Sequence, residues 1–335
     1  MKQGLKYVVF ALLILWLPAA CTKQGVFDSV RADPRSVFEE TWRVIDERYA
    51  LFPEKKINWD SVRSVYQDRF VPEMSEQSMF TEITRMLETL RDGHVTLISP
   101  FDTSTYAGFY TGYPRNFSLE HVINNYLTPG YRQQGPFLYD IRENVGYIYY
   151  GQFSSQLDLA DLTEVMKEMA GTKGLILDIR NNTGGFVQAA ERMAAAFSQE
   201  SILVKYEQYK LGKERNSFTD PVPRRLSPEG IYYAQPVIVL TNRACFSACN
   251  DFVMYTRAMQ QIRQYGDQTG GGGSIPSTYQ LANGWYLRFS ATRTLSPSLQ
   301  SVEMGLLPDK KIEITVLDDL RGADPILESA FIDLR

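Results

Sequence analysis

Ser247 stands in the run ACFSACNDF (244–252), among small residues and directly after the apolar, strand-like segment PVIVLTN (236–242). A serine hydroxyl becomes a nucleophile when a rigid turn holds it, a base lies in reach and backbone N–H groups face the developing oxyanion. The chain offers a candidate for each part. The base would be His94, one of two histidines, in LRDGHVTL (90–97); an imidazole titrates near neutrality and so can take and return a proton there. The oxyanion donors would be the amide of Ala248 and the glycine turn of DIRNNTGG (178–185), which follows a second apolar strand.

Each of these residues also has a plain structural reading. A serine where a helix begins is commonly an N-cap, and a lone histidine is commonly a satisfied structural residue. DIRNNTGG matches neither G-x-G-x-x-G nor a P-loop with its lysine, so it does not read as a nucleotide site. An oxyanion cradle and a simple tight turn both remain open for it. Gly270 to Gly273 could form a flap, an anion nest or a plain loop. Cys245 and Cys249 bracket Ser247, but no second cysteine pair completes a zinc site, so they read as small packing residues. No metal and no cofactor is expected. His121, in LEHVINNYL, lacks a comparable setting.

The elements that must position these groups follow from periodicity. Asp33-Pro34 supplies an N-cap and a first-turn proline, after which Phe38, Trp42, Ile45 and Tyr49 recur at helical spacing. Trp59, Val62, Tyr66 and Phe70 predict a second helix, and Ser75 followed by Phe80, Ile83, Leu87 and Leu90 a third. This small bundle (33–97) ends by delivering Asp92, Gly93 and His94. Residues 98–143, rich in Tyr, Pro, Gly and Asn, show no sustained period and read as an irregular connecting segment. From 144 to 335 strands alternate with helices: strands at NVGYIYYGQF (144–153), GLILDI (174–179), SILVKYEQY (201–209) and PVIVLTN, and helices over 186–197 and 247–259. YQLANGWYLRFS (279–290) and KIEITV (311–316) also read as strands. That order predicts an α/β core with parallel pairing.

The N-terminus carries an address. Lys2 and Lys6 precede the apolar run 7–17, and LPAAC closes it at Cys21. A basic region, an apolar stretch too short to span a bilayer and small residues before a cleavage point describe a signal peptide (1–20). LPAAC resembles a bacterial lipobox, with Pro18 where a leucine is usual, so Cys21 is the expected lipid attachment point and 21–32 a tether. Acyl chains contribute about 0.8 kcal/mol per buried methylene, which would hold the protein on a membrane surface. A net charge of -4 with no basic stripe argues against a nucleic-acid partner.

LRDGH, GYIYYGQF, KGLILDIRNNTGG, PVIVLTNRACFSACNDF, YGDQTGGGGS and VEMGLLPDKKI, in this order, resemble the successive blocks of the carboxyl-terminal processing (tail-specific) protease family. INWDSV and MLETLRDGH are similar to the tricorn protease branch. The resemblance implies a Clp protease/crotonase-like spiral of ββα units preceded by the helical bundle, hence an α/β (overall α+β) protein. It further implies Ser247 as nucleophile, with the Gly185 and Ala248 amides as oxyanion hole. The processing branch takes its base from a lysine in the block matched by TGGGGS. Gly272 stands there, with no lysine nearby. The tricorn-like branch instead uses a histidine, matching His94, oriented by a glutamate, matching Glu303. Such a carboxylate fixes the tautomer and stabilises imidazolium.

Two departures accompany the match: no PDZ insert fits within 98–143, and Asn250 replaces the glutamate common soon after the nucleophile. The expectation is an extracytoplasmic, lipid-anchored serine endopeptidase acting on peptide or protein substrates through an acyl-enzyme. The alternative is a non-catalytic protein binding peptide or an apolar ligand on the same fold, since fold alone does not prove catalysis.

Overall fold

The structure is a computed structural model that describes residues 33–153 and 157–335; the expected signal peptide, the expected lipid attachment point Cys21 and the expected tether lie outside the described residues. Helix α1 (Pro34–Arg48) starts where Asp33 accepts from the Ser36 amide at 3.0 Å, with proline in the first turn. Helices α2 (Phe52–Lys55), α3 (Trp59–Tyr66) and α4 (Glu76–Glu88) follow, α4 capped by Ser75 as its spacing predicts. Trp42 and Trp59 each donate the indole N–H to the other's carbonyl at 3.1 Å, so the buried Trp59 and the half-buried Trp42 both have their one polar side-chain atom satisfied.

The bundle does not close on itself. Its core of Phe38, Ile45, Trp59, Ile83 and Leu87 is completed by Leu281, Trp285, Leu287 and Phe289. Leu287 and Phe289 belong to β11 (Tyr286–Ser290), and Leu281 and Trp285 to its connection with β10 (Pro276–Gln280), in an antiparallel sheet completed by β1 (Thr96–Ile98). What the sequence suggested as one strand over 279–290 is therefore a hairpin that turns through Asn283-Gly284, Gly284 at φ +86°.

The segment 98–143 holds helix α5 (Leu119–Asn125) and strands β2 (Arg132–Gln134) and β3 (Phe137–Arg142), more regular structure than its composition suggested. These strands join β4 (Val145–Tyr150), β5 (Gly174–Asp178), β8 (Val237–Thr241), β9 (Ile262–Gly266) and β13 (Lys310–Lys311) in a seven-stranded sheet, ordered β13-β9-β8-β5-β4-β3-β2. From β4 to β13 the pairing is parallel, and β3 and β2 are antiparallel additions. Successive side chains of a strand face opposite ways, and here both faces are covered. Leu175, Leu177, Val237 and Val239 pack under α6 (Leu159–Met169), α7 (Val187–Ala195) and α8 (Ala248–Thr256). Ile176, Ile238 and Leu240 pack on α5 and on α10 (Pro325–Leu334).

A third, antiparallel sheet, β12 (Thr292–Leu295)-β6 (Ile202–Tyr209)-β7 (Val222–Leu226), flanks the α7 and α8 side. The strand expected over 311–316 is only two residues long. Thr315 and Asp318 form a reciprocal capping box that starts helix α9 (Val316–Arg321), and this local signal overrides the apolar alternation before it.

Candidate active site

Strand β8 ends at Thr241, and the chain reverses through Asn242–Phe246 into α8. Asn242 braces that turn: its side chain accepts from the Asn181 amide at 3.0 Å and donates to the Arg115 carbonyl at 2.9 Å, while its own carbonyl accepts from the Cys245 amide. Ser247 follows at φ 58°, ψ -125°, a backbone conformation that a side-chain-bearing residue holds only where its surroundings over-determine it. The surroundings are visible: its N–H donates to the Gly271 carbonyl at 2.9 Å and its carbonyl accepts from the Asp251 amide at 3.0 Å. Although Ser247 occupies the N-cap position, its hydroxyl makes no capping bond. Instead Oγ lies 2.9 Å from His94 Nε2. Cys245 and Cys249 are free, buried thiols directed at the Ile179 carbonyl.

The glycine turn after β5 presses against the nucleophile turn. Asn182 ties the two together. Its Oδ1 accepts from the Gly184 amide at 2.9 Å, its Nδ2 donates to the Tyr150 carbonyl, and its own carbonyl accepts from the Phe246 amide. Gly184 sits at φ +95°, and a Cβ there would stand 2.5 Å from the Phe246 carbonyl and 2.9 Å from the Ala248 amide. The amides of Gly185 and Ala248 have no acceptor among the described residues, the condition an oxyanion hole requires. The glycine run 270–273 is packed under the same turn. At Gly271 (φ +81°) a Cβ would fall 1.9 Å from the Glu303 carbonyl, and at Gly272 the ring of Phe246 fills the space a longer side chain would need.

His94 arrives on the turn between α4 and β1. Asp92 fixes that turn: Oδ1 accepts from the His94 amide at 2.8 Å, and Oδ2 accepts from Tyr49 Oη and Ser290 Oγ at 3.0 and 2.7 Å. Burial pushes the imidazole pKa down to about 4; Asp92 opposes the shift, and Arg288 and Lys55 add to it. The ring is therefore neutral at neutral pH, with Nε2 able to accept the Ser247 proton.

Glu303 is buried beside this group, but the structure pairs it with Lys55 rather than with His94. Lys55 Nζ lies 2.8 Å from Glu303 Oε1 and also donates to the Arg91 carbonyl at 3.0 Å. Glu303 Oε2 and His94 Nδ1 are both buried without a hydrogen-bond partner. Burial pushes the carboxyl up to about 8, Asp92 adding to the rise and Lys55 opposing it. For Lys55, burial lowers the pKa, but Glu303 and Asp92 outweigh it and hold the ammonium above its ordinary value. Lys55 had no signal in the sequence, since its partner lies some 250 residues away. Asn182 had one: an Asn-Asn-Thr before two glycines is turn chemistry.

Ser247 and His94 line a cavity of about 610 Å³ together with Gly184, Gly185, Phe109 and Arg288. The sequence model of peptidase family S41 matches residues 144–312, half of the chain, and that of the tricorn protease C1 domain matches 30–88. The chain belongs to peptidase family S41. A solved structure described as a "putative peptidase" of Parabacteroides merdae is 40% identical and superimposes with a TM-score of 0.86 over 90% of this chain and 97% of that one. Mature CPAF, at 11% identity and TM-score 0.68, and the photosystem II D1 C-terminal processing protease, at 17% and 0.55, share the S41 fold. Among curated relatives, the carboxyl-terminal-processing protease of Synechocystis is 29% identical over 174 residues, 51% of this chain. The chloroplastic carboxyl-terminal-processing peptidase 3 of Arabidopsis thaliana is 27% identical over 210 residues, 62% of this chain. The matches cover 38% of the length of each of these two relatives.

Proposed function

We propose that this S41 protein is a serine endopeptidase in which Ser247 is the nucleophile and His94 the general base. The observation that carries the reading is the 2.9 Å contact between Ser247 Oγ and a neutral, buried His94 Nε2. Oγ attacks the scissile carbonyl carbon while its proton moves to Nε2, and the carbonyl oxygen takes the negative charge between the Gly185 and Ala248 amides. Collapse breaks the C–N bond, and Nε2 returns the proton to the departing amine. Water then repeats the sequence on the acyl-enzyme and releases the acid. Glu303 serves as the acceptor for His94 Nδ1–H. Its free oxygen and that nitrogen are both buried and unsatisfied, and a bond between them would fix the tautomer that exposes a lone pair on Nε2.

The working place in this reading is outside the cytoplasm, on a membrane held through Cys21, as the lipobox resemblance suggests. No helix among the described residues is long and apolar enough to cross a membrane. The mechanism is tested with Ser247→Ala and His94→Ala. Each should abolish peptide hydrolysis and labelling by a serine-directed probe while circular dichroism stays unchanged, because nucleophile and base fail as a unit. Wild-type turnover by a folded Ser247→Ala protein removes the mechanism.

A further inference from the structure

We propose that Arg288 forms a carboxylate-binding subsite beside the catalytic pair, so that this enzyme selects substrates presenting an acidic group there; the proposal rests on the peptidase reading above. Arg288 lies on β11, where Leu287 and Phe289 point into the helical core. By strand alternation its side chain points the other way, and it lines the cavity that holds Ser247, His94, Gly184 and Gly185. It is opposite Thr96, two residues after His94, across the β1–β11 pair. Its charge reaches the imidazole and helps to keep it neutral.

Most arginines of this protein are answered by carboxylates: Arg180 by Asp178 and Asp324, Arg215 by Asp46 and Asp60, Arg293 by Glu54. The Arg288 guanidinium has neither an ion pair nor a hydrogen bond among the described residues. Among the described residues no carboxylate lines its cavity. An adjoining cavity of about 550 Å³, which shares Tyr110 and Thr183 with it, is lined by Arg115 and by Arg243, the latter paired with Asp267 at 3.5 Å. On the other side a cavity sharing Gly93, Tyr106, Phe109 and Phe246 holds Glu303, which is paired with Lys55, so Arg288 is the open charge nearest Ser247. A guanidinium left open on a half-sheltered wall is suited to a planar, two-point contact with a carboxylate. That carboxylate could be an Asp or Glu side chain or a substrate's own C-terminus.

The test uses matched fluorogenic peptides carrying Glu, Gln or Lys at each position flanking the scissile bond, every one made with a free and with an amidated C-terminus. Wild type should favour one carboxylate-bearing peptide over its neutral twin by about tenfold or more in kcat/KM, as expected for a charge-assisted bond in a sheltered site. Arg288→Gln should level that ratio, and Arg288→Glu should turn it toward Lys. Preference that follows Glu assigns the side chain; preference that follows the free terminus assigns the C-terminus. Any effect through His94 would move the pH profile of both twins equally, whereas loss of the subsite changes their ratio. If wild type hydrolyses none of them, the same peptides are titrated against Ser247→Ala and Ser247→Ala/Arg288→Gln by fluorescence anisotropy. A carboxylate preference lost with Arg288 then upholds the subsite although the peptidase reading has failed. Equal handling of the twins by wild type, or a preference that survives Arg288→Gln, overturns it.

Discussion

Replacing Lys55 by Met should destabilise the protein more at pH 9 than at pH 6. Lys55 Nζ is 2.8 Å from Glu303 Oε1, with both side chains nearly excluded from solvent. In the fold the Glu303 pKa is raised from 4.5 to about 8. A raised carboxyl contributes stability that is fully present below the unfolded pKa and is lost as pH climbs through the folded one. At pH 6 the carboxyl already carries its proton in the folded state, and losing the ammonium removes hydrogen bonds worth about 0.5–1.5 kcal/mol each. At pH 9, one unit above its pKa, the wild-type carboxyl has ionised beside the ammonium, which is worth about 1.4 kcal/mol; without Lys55 that gain is lost, because the isolated buried carboxyl keeps its proton. The difference between the two pH values is then roughly 1–1.4 kcal/mol, or a few degrees of Tm for a chain of this size. Lys55 itself does not create the trend, because its raised pKa keeps it charged in wild type across this range. The bond to the Arg91 carbonyl is lost equally at both pH values. Melting curves of wild type, Lys55→Met, Glu303→Gln and the double variant at pH 6, 7.5 and 9 measure the effect. A Lys55→Met penalty that is the same at pH 6 and 9, or one that keeps its pH dependence in the Glu303→Gln background, refutes the reasoning.

With His94 depressed to about 4, the acid limb of kcat/KM should fall near that value rather than near 6.5, provided circular dichroism shows the fold intact; a limb at 6.5 would mean the ring is solvated in the free enzyme. The same depressed pKa contributes stability that is present above 6.5 and lost as pH falls through about 4, so unfolding should steepen over that window. Gly184→Ala drives a Cβ to 2.5 Å from the Phe246 carbonyl and should lower kcat about 10²–10³-fold by displacing an oxyanion donor, with KM little changed; near-normal kcat would show that the turn yields without consequence. Cys21→Ser should abolish incorporation of a labelled fatty acid, and label that persists in the variant would place the anchor elsewhere.

The buried strands were legible because the periodicity that reports them is local. Leu175 to Leu177 and Val237 to Leu240 are apolar on both faces of the sheet, and the sequence there is a continuous apolar run. Ser247 was legible by its place between such a strand and a helix, and Asp33 and Ser75 by their capping positions. Where local signals competed, the shorter-range one won. Thr315 and Asp318 ended a strand that hydrophobic alternation had extended, and Asn283-Gly284 folded an apparent single strand into a hairpin.

What the sequence could not show is electrostatic and long-range. The group facing Glu303 is Lys55, on a four-residue helix of the N-terminal bundle, brought there because Leu281, Trp285, Leu287 and Phe289 complete that bundle's core. The packing that docks the helices is therefore the packing that carries His94 to Ser247 and Lys55 to Glu303. If Glu303 orients His94 as proposed, that imidazole and Lys55 share one carboxylate. One oxygen of Glu303 is held by an ammonium from the bundle, the other is unbonded, and the imidazole nitrogen awaiting a carboxylate is unbonded as well. Desolvated polar atoms left in that condition cost about 1–3 kcal/mol each. In the proposed mechanism one carboxylate would serve both partners, Lys55 through one oxygen and His94 through the other. The Glu303 loop is packed through its backbone against Gly271, whose carbonyl in turn holds the Ser247 amide. A bond from Glu303 to His94, as the proposed mechanism requires, would therefore be coupled to the setting of Ser247 through a single glycine turn.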